Sequence, residues 1–389
     1  MVYLDHNATT PVHPEVKAAV GPFLSEMFGN PSSIHWAGRG VRKAIEDARQ
    51  EIAAFFGCQP LEIVFTSSGT ESDNLAIKGI AFRKGNAGKH IVTSTVEHPA
   101  IMNTCRFLEG QGYRVAYAPV NRQGIVEPET VRKAIRKDTI LVSIMHANNE
   151  TGCIMPIAEI GRIAREAGVL MHTDAVQATG KIPIDWKSLP VDLLTFSGHK
   201  VNGLKGAGGL IVRKGIETEG VVHGGHQERG RRGGTENVVG IVAMGKAFSL
   251  LRAGMTEEVR ATRRLRDRFE KMLFERIPDL VLNGHPTDRL PNTLNVSFRF
   301  VEGEALLLNL DILGIACSSG SACTSGSLEA SPILMAMGAD PVDAQGALRF
   351  SLGMGNTDAD LEYTVDAIET VVGKLRAMSP LFNKEAKAR

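Results

Sequence analysis

Lys200 closes the stretch Leu193-Leu194-Thr195-Phe196-Ser197-Gly198-His199-Lys200, an apolar run that breaks into a polar turn. A lysine just past a buried strand can snorkel its ammonium to water. Alternatively it loses solvation, which lowers its pKa and yields an amine able to form a Schiff base with an aldehyde. The second reading needs partners, and four other strand-like ends offer them. After Phe65, the turn Thr66-Ser67-Ser68-Gly69-Thr70 opens an apolar helix, and free N–H groups there suit a phosphate or a plain helix cap. After Ser94 comes His98 before Pro99, a ring that can stack on a planar group or shuttle protons, or a simple turn residue. After Ile144 come His146, Asn148, Asn149 and Glu150, suited to a carboxylate or ring oxygen, or to Asx turns. After Met171 comes Asp174, a poorly solvated carboxylate needing a cation, or else an N-cap, with Gln177 one turn on.

Singly these are common devices. Together, an anion cradle, a histidine, Asp174 and a lysine 26 residues later fit pyridoxal phosphate. Its enzymes pair a Schiff-base lysine with an acid at the ring nitrogen, and Gln177, one turn past Asp174, is expected to reach a phenolic oxygen. A dinucleotide fits less well. Gly206-Ala207-Gly208-Gly209 precedes a strand and lacks the glycine spacing of a dinucleotide fold.

A second reactive residue lies far downstream. Cys323 sits in Ser318-Ser319-Gly320-Ser321-Ala322-Cys323-Thr324-Ser325-Gly326-Ser327, small residues that make a mobile tether from which a thiol can visit a cofactor and leave. Cys58, Cys105, Cys153 and Cys317 have apolar or helix-like settings and read as filler.

These groups need a scaffold. Short β-branched runs at 63–66, 91–94, 115–117, 140–144, 169–171, 193–196 and 209–212 alternate with helical spacing, the signature of a mostly parallel sheet covered by helices, whose ligands sit beyond strand ends. The fold class expected is α/β, a seven-stranded large domain with a smaller α+β domain. Helices are expected over 14–28 and 38–56, and Thr256 with Glu257 and Glu258 predicts the start of a long helix to Ile277 that opens a different unit. The large domain spans 15–250. Residues 1–14 and 251–389 form the small one, with the cysteine loop at about 318–331.

The 389 residues are 43% hydrophobic and 22% charged, enough for two cores. Lys plus Arg (44) and Asp plus Glu (43) nearly cancel, so neither nucleic acid nor a membrane surface is the expected partner. No leader pattern and no apolar run of membrane-spanning length is apparent, and five irregularly spaced cysteines make no disulfide framework. A cytoplasmic location is expected.

From Tyr3-Leu4-Asp5-His6-Asn7-Ala8-Thr9-Thr10 to about Gly353 the chain resembles a cysteine desulfurase, in the class V aminotransferase group of fold type I pyridoxal-phosphate enzymes. The resemblance implies the cofactor on Lys200, Ser197, His199, Gly69 and Thr70 around its phosphate, His98 stacked on the ring, and Asn149, Asp174 and Gln177 holding it. Thr235, within Gly224-Gly225-His226-Gln227-Glu228-Arg229-Gly230-Arg231-Arg232-Gly233-Gly234-Thr235, would reach the phosphate of the other subunit of a homodimer. Arg349, with Asn149, would bind the substrate carboxylate. Cys323 would take sulfur from L-cysteine with His98 as a proton shuttle, and pass it to an iron–sulfur scaffold or another acceptor, itself a transient cluster ligand. Ser68, Asn202, Leu204 and Met354-Gly355 depart from the family pattern. A selenocysteine lyase, an aminotransferase and a non-enzymatic cluster scaffold are the alternatives.

Overall fold

A computed structural model describes residues 1–84, 87–319, 330–380 and 382. The chain begins with a short strand β1 (Val2–Tyr3), then α1 (Pro14–Val20) and α2 (Trp36–Phe56). The spacing predicts a first helix as far as Phe28, but α1 stops at Val20. Pro22 has no N–H to continue the ladder.

The large sheet follows in alternation: β2 (Ile63–Thr66), α3 (Gly69–Lys84), β3 (His90–Ser94), α4 (Pro99–Glu109), β4 (Arg114–Ala118) and α5 (Pro128–Ala134). Then come β5 (Thr139–Ser143), α6 (Ile157–Glu166), β6 (Leu170–Asp174), β7 (Leu193–Ser197) and β8 (Gly208–Val212). The strand order is β2-β8-β7-β6-β5-β3-β4, and only β8 runs against its neighbours. All seven predicted strands are present. Because β2 and β7 are each antiparallel to β8, they are parallel to one another. The C-terminal ends of β2, β3, β5, β6 and β7 therefore share one edge of the sheet, and every strand-end group identified above emerges there.

The strand leading to Lys200 is held hard. Phe196 packs among Phe56 and Phe248, with ring centroids 5.3 and 5.4 Å away. Its other side takes Gly209, where an added Cβ would lie 2.2 Å from Phe196 Cζ. No larger residue fits there.

After the sheet, α7 runs unbroken from Val238 to Arg276, capped by Asn237, whose Oδ1 accepts from Gly240 N at 3.1 Å. The helix start expected at Thr256 is therefore wrong. A lone Gly254 does not break a helix, and Glu257 pairs with Arg260 along the helix instead of filling a first turn. The expectation that nothing reaches membrane-spanning length is corrected too: α7 contains one stretch apolar and long enough to cross a bilayer. Its apolar side packs on α2, so closely that a Cβ on Gly245 would lie 2.5 Å from Ala48 Cβ.

The rest of the chain is β9 (Leu280–Leu282), β10 (Thr293–Phe298), α8 (Gly303–Ile312), β11 (Ile315–Ala316) and β12 (Ser318–Ser319). It ends with α9 (Pro332–Ala336), α10 (Pro341–Gln345), β13 (Ala347–Ser351) and α11 (Asp358–Met378). An antiparallel sheet β12-β13-β10-β9 backs a second core in which Val2 and Leu4 join Phe269, Phe298, Phe350 and Ile368. The N-terminal arm thus returns to the C-terminal part, β1 pairing with β11 and Asp5 bridging to Ser351. Between those anchors and α1, the arm crosses the edge of the large sheet.

Candidate functional site

Gly69, Thr70, His98, Asn149, Asp174, Gln177, Ser197, His199 and Lys200 all line one cleft at that edge, around about 660 Å³ of open space. Five strand ends contribute, so no single local motif could have built it. Gly69 opens α3 against Val176, where a Cβ would lie 2.9 Å from Val176 Cγ2. The departure Ser68 caps this helix, its Oγ accepting from Glu71 N at 3.1 Å. Glu71 in turn accepts from Ser67 N and from Arg232, tying the segment containing Thr235 to the cradle.

His98 is the N-cap of α4. Its Nδ1 accepts from Ala100 N at 3.1 Å, and burial holds its pKa below the usual value, with Asp174 opposing and Lys200 reinforcing the shift. The ring is neutral with its proton on Nε2, an assignment that follows from the hydrogen bond at Nδ1. Toward the cleft it therefore presents a donor.

Asp174 ends β6. Burial raises its pKa, while His98, the Val176 amide and Lys200 draw it down. Beneath it, His172 is buried between Ser143 Oγ at 2.9 Å and Thr195 Oγ1 at 3.0 Å, its pKa pushed down to about 3 by burial. Asp73, from α3, also lines the cleft, and burial beside Asp174 holds its carboxyl well above the usual range. The strand-end pattern missed Asp73 because it lies a full turn into a helix.

Lys200 donates to two carbonyls of the arm, Asn7 O at 2.5 Å and Ala8 O at 2.7 Å. The arm is fixed over it by Thr10 N to His199 O and by Asn202 N to Thr10 Oγ1. Asn202, another departure, has φ of 61°, a left-handed conformation asparagine tolerates, and its side chain donates to Pro11 O. Two further groups complete the seam. Gln177 Nε2 donates to Asn7 O at 2.9 Å, and Lys181 donates to Gln177 Oε1 and Asn7 Oδ1 at 2.8 and 3.0 Å.

Arg349, buried on β13, does not line the cleft wall. It donates to Asn149 O at 3.1 Å and to Asp5 at 2.6 Å, leaving Nε buried without a partner among the described residues. Thr235 is exposed and away from the cleft of its own chain. Its segment is anchored by a buried bidentate pair, Arg49 with Glu228 at 2.7 and 3.0 Å. That pair sits where Glu228 and Arg229 hold positive φ of 43° and 59°, strain that such an anchor sustains. Cys323 lies outside the described residues. On either side of its segment, Ser318 pairs in register with Arg349, and Ser331 Oγ donates at 2.5 Å to Glu150, the neighbour in sequence of the cleft residue Asn149. Among the described residues no cluster suited to a metal ion occurs.

The aminotransferase class-V family model matches residues 2–364. A cysteine desulfurase IscS of Methanosarcina thermophila is 53% identical over 99% of this chain and 95% of that protein. The chain belongs to the cysteine desulfurase family. A second member, from Dictyoglomus turgidum, is 52% identical over 97% of this chain and 96% of its own length. Among solved structures, a NifS-like protein superimposes with a TM-score of 0.91 at 38% identity, covering 96% of this chain and 99% of that one. SspA in complex with cysteine gives 0.81 at 36%, covering 91% and 99%. The cysteine desulfurase family depends on pyridoxal phosphate, and so does this chain. The cleft residues fit that group. Ser197 Oγ and Asn149 Oδ1 are buried without partners among the described residues, an acid faces the site from β6, and the first turn of α3 opens onto it.

Proposed function

We propose that Lys200 and Cys323 divide the conversion of L-cysteine to L-alanine in this enzyme, Lys200 anchoring the cofactor and Cys323 receiving the sulfur. The observation carrying the first half is the convergence of five strand ends on Lys200. For the second half, support comes from the two anchored ends of the segment holding Cys323.

Gly69, Thr70, Ser197 and His199 would hold the phosphate, Asp174 the ring nitrogen, Gln177 the phenolic oxygen and His98 the ring face. When bound, pyridoxal phosphate supplies a sink for the electron pair left as the substrate Cα–H bond breaks. The Lys200 amine, lining the cleft, would take that proton. Arg349 and Asn149 orient the substrate carboxylate, a task suited to a planar guanidinium. Cys323 Sγ, after losing its proton, attacks the substrate sulfur. An S–S bond forms, and the C–S bond breaks with its electron pair left on Cβ. Protons delivered to Cβ and Cα complete alanine, the released thiol proton balancing the one gained. His98 starts with a proton on Nε2, so it donates before it accepts.

The persulfide on Cys323 then passes to an acceptor, in our reading an iron–sulfur scaffold. A homodimer belongs to the same proposal, supported by exposed Leu24, Phe28, Ile34 and Trp36 in one segment and by Thr235, which has no role in the cleft of its own chain. So does a cytoplasmic location, supported by the unpaired thiols Cys58, Cys105, Cys153 and Cys317. The test is Cys323→Ala. Alanine formation from cysteine should stop while the visible absorption of the bound cofactor is unchanged. Alanine released at the normal rate with free sulfide overturns the assignment.

A further inference from the structure

Lys181 is a half-buried lysine for which the proposed reaction has no use. It follows Gly180, whose left-handed φ of 76° turns the chain beneath the arm. Among the described residues no carboxylate pairs with it. The ionisable groups facing it are Lys200 and Arg349, both repelling its charge, and His6, whose own pKa falls to about 4 through burial and then through Lys181. Glu258 lies across the same small cavity, which Lys181, Lys200 and His6 also line. Burial and the two cations hold the pKa of Lys181 well below the usual lysine value. A cation so placed is destabilising unless its hydrogen bonds are made.

Those bonds are specific. Lys181 donates to Gln177 Oε1 at 2.8 Å and to Asn7 Oδ1 at 3.0 Å. Gln177, a cleft residue, thereby has its oxygen held by Lys181, which does not line the cleft, and keeps Nε2 as its donor end. One Nε2 hydrogen goes to Asn7 O at 2.9 Å, and the second is left for a ligand, since a carboxamide carries two donors. At Asn7 the oxygen takes Lys181 and Asn292, so Nδ2 is free to bind Asn149 O at 3.2 Å and Thr293 Oγ1 at 2.9 Å. Lys181 thus selects the orientation of two amides, one facing the cofactor site and one locking the arm whose carbonyls receive Lys200.

We propose that Lys181 is a positioning residue of the cofactor site, holding the donor end of Gln177 on the ring oxygen and the N-terminal arm over Lys200. This rests on the placement of Gln177 proposed above. A donor at that oxygen weakens the hold on the proton shared with Lys200. Losing it should raise the pH at which the visible band of the loaded enzyme changes.

The experiment compares loaded wild type, Lys181→Met, Gln177→Ala and the double variant by pH titration of that band, with the rate of cofactor release as a second readout. Lys181→Met should move the midpoint up by about one pH unit and speed cofactor release. The double variant should move it no further than Gln177→Ala alone, because the two residues act through one contact. Methionine matches the buried stem, so the melting temperature of the apoprotein should not fall. If Gln177→Ala shifts the band and Lys181→Met does not, or if the two shifts add, the role of Lys181 is overturned. If Gln177→Ala itself leaves the band unchanged, the placement of Gln177 is what fails.

Discussion

The floor of the cleft and the seam under the N-terminal arm are built on opposite plans. On the floor most groups come from strand ends, and two are left unsatisfied: Ser197 Oγ and Asn149 Oδ1 have no hydrogen-bond partner among the described residues. In the seam, Asn7 uses both ends of its amide and its backbone carbonyl, joining Lys181, Gln177, Lys200, Asn149, Asn292 and Thr293. Groups with open valence face a ligand, and groups saturated by one another set geometry. Substitutions on the floor should therefore damage chemistry with little loss of stability, and substitution of Asn7, the hub of the seam, the reverse.

The widest separation is expected at Lys200. Lys200→Ala should reduce alanine formation by on the order of 10³-fold or more, with the apoprotein melting temperature nearly unchanged; a large drop in melting temperature would erase the contrast. Asn7→Ala should behave oppositely. It removes the side-chain partner of two donors, Lys181 and Asn292, and of two acceptors, Asn149 O and Thr293 Oγ1. With each lost bond costing roughly 1 kcal/mol, urea unfolding should show a loss of about 3 kcal/mol or more, together with faster cofactor release.

Arg349 stands between the two plans, tied to Asp5 and Asn149 yet with Nε open. Arg349→Lys should raise KM for cysteine about tenfold with a smaller change in kcat, because the planar fork is lost while the charge stays. Equal losses in kcat would assign it to the floor.

A separate test concerns a buried acid behind the floor. Glu97 accepts from Ser94 Oγ and Met145 N, and burial pushes its pKa from 4.5 up to about 8. The folded chain then holds a proton that the unfolded chain releases. Stability from this group is complete below about 4.5 and lost as pH rises to about 8, by on the order of 3 kcal/mol at pH 7. Glu97→Gln should flatten that part of the pH–stability curve, and a curve parallel to wild type would show that Glu97 is ionised in the fold.

The same contrast explains what could be read from the chain. Floor groups sit just after β-branched runs, and the period of those runs fixes where they emerge, so the place of His98, Asp174, Gln177 and Lys200 on one sheet edge is legible in the sequence. Seam groups lie at 5, 7, 181, 292 and 349, without common spacing, and their purpose exists only once the arm folds back. Lys181 carried no local cue, since Gly-Lys is ordinary turn composition. Asp73 was hidden by helical phase, and the length of α7 by the Thr-Glu-Glu sequence that imitates a helix start.

The most direct test of the reaction is a single turnover. Enzyme loaded with pyridoxal phosphate is mixed with one equivalent of L-cysteine, alanine is quantified, and the peptide containing Cys323 is weighed after alkylation. One alanine per cysteine, with one extra sulfur atom on Cys323 and none on Cys58, Cys105, Cys153 or Cys317, is expected. Alanine without sulfur on Cys323, or sulfur on another cysteine, would contradict the account.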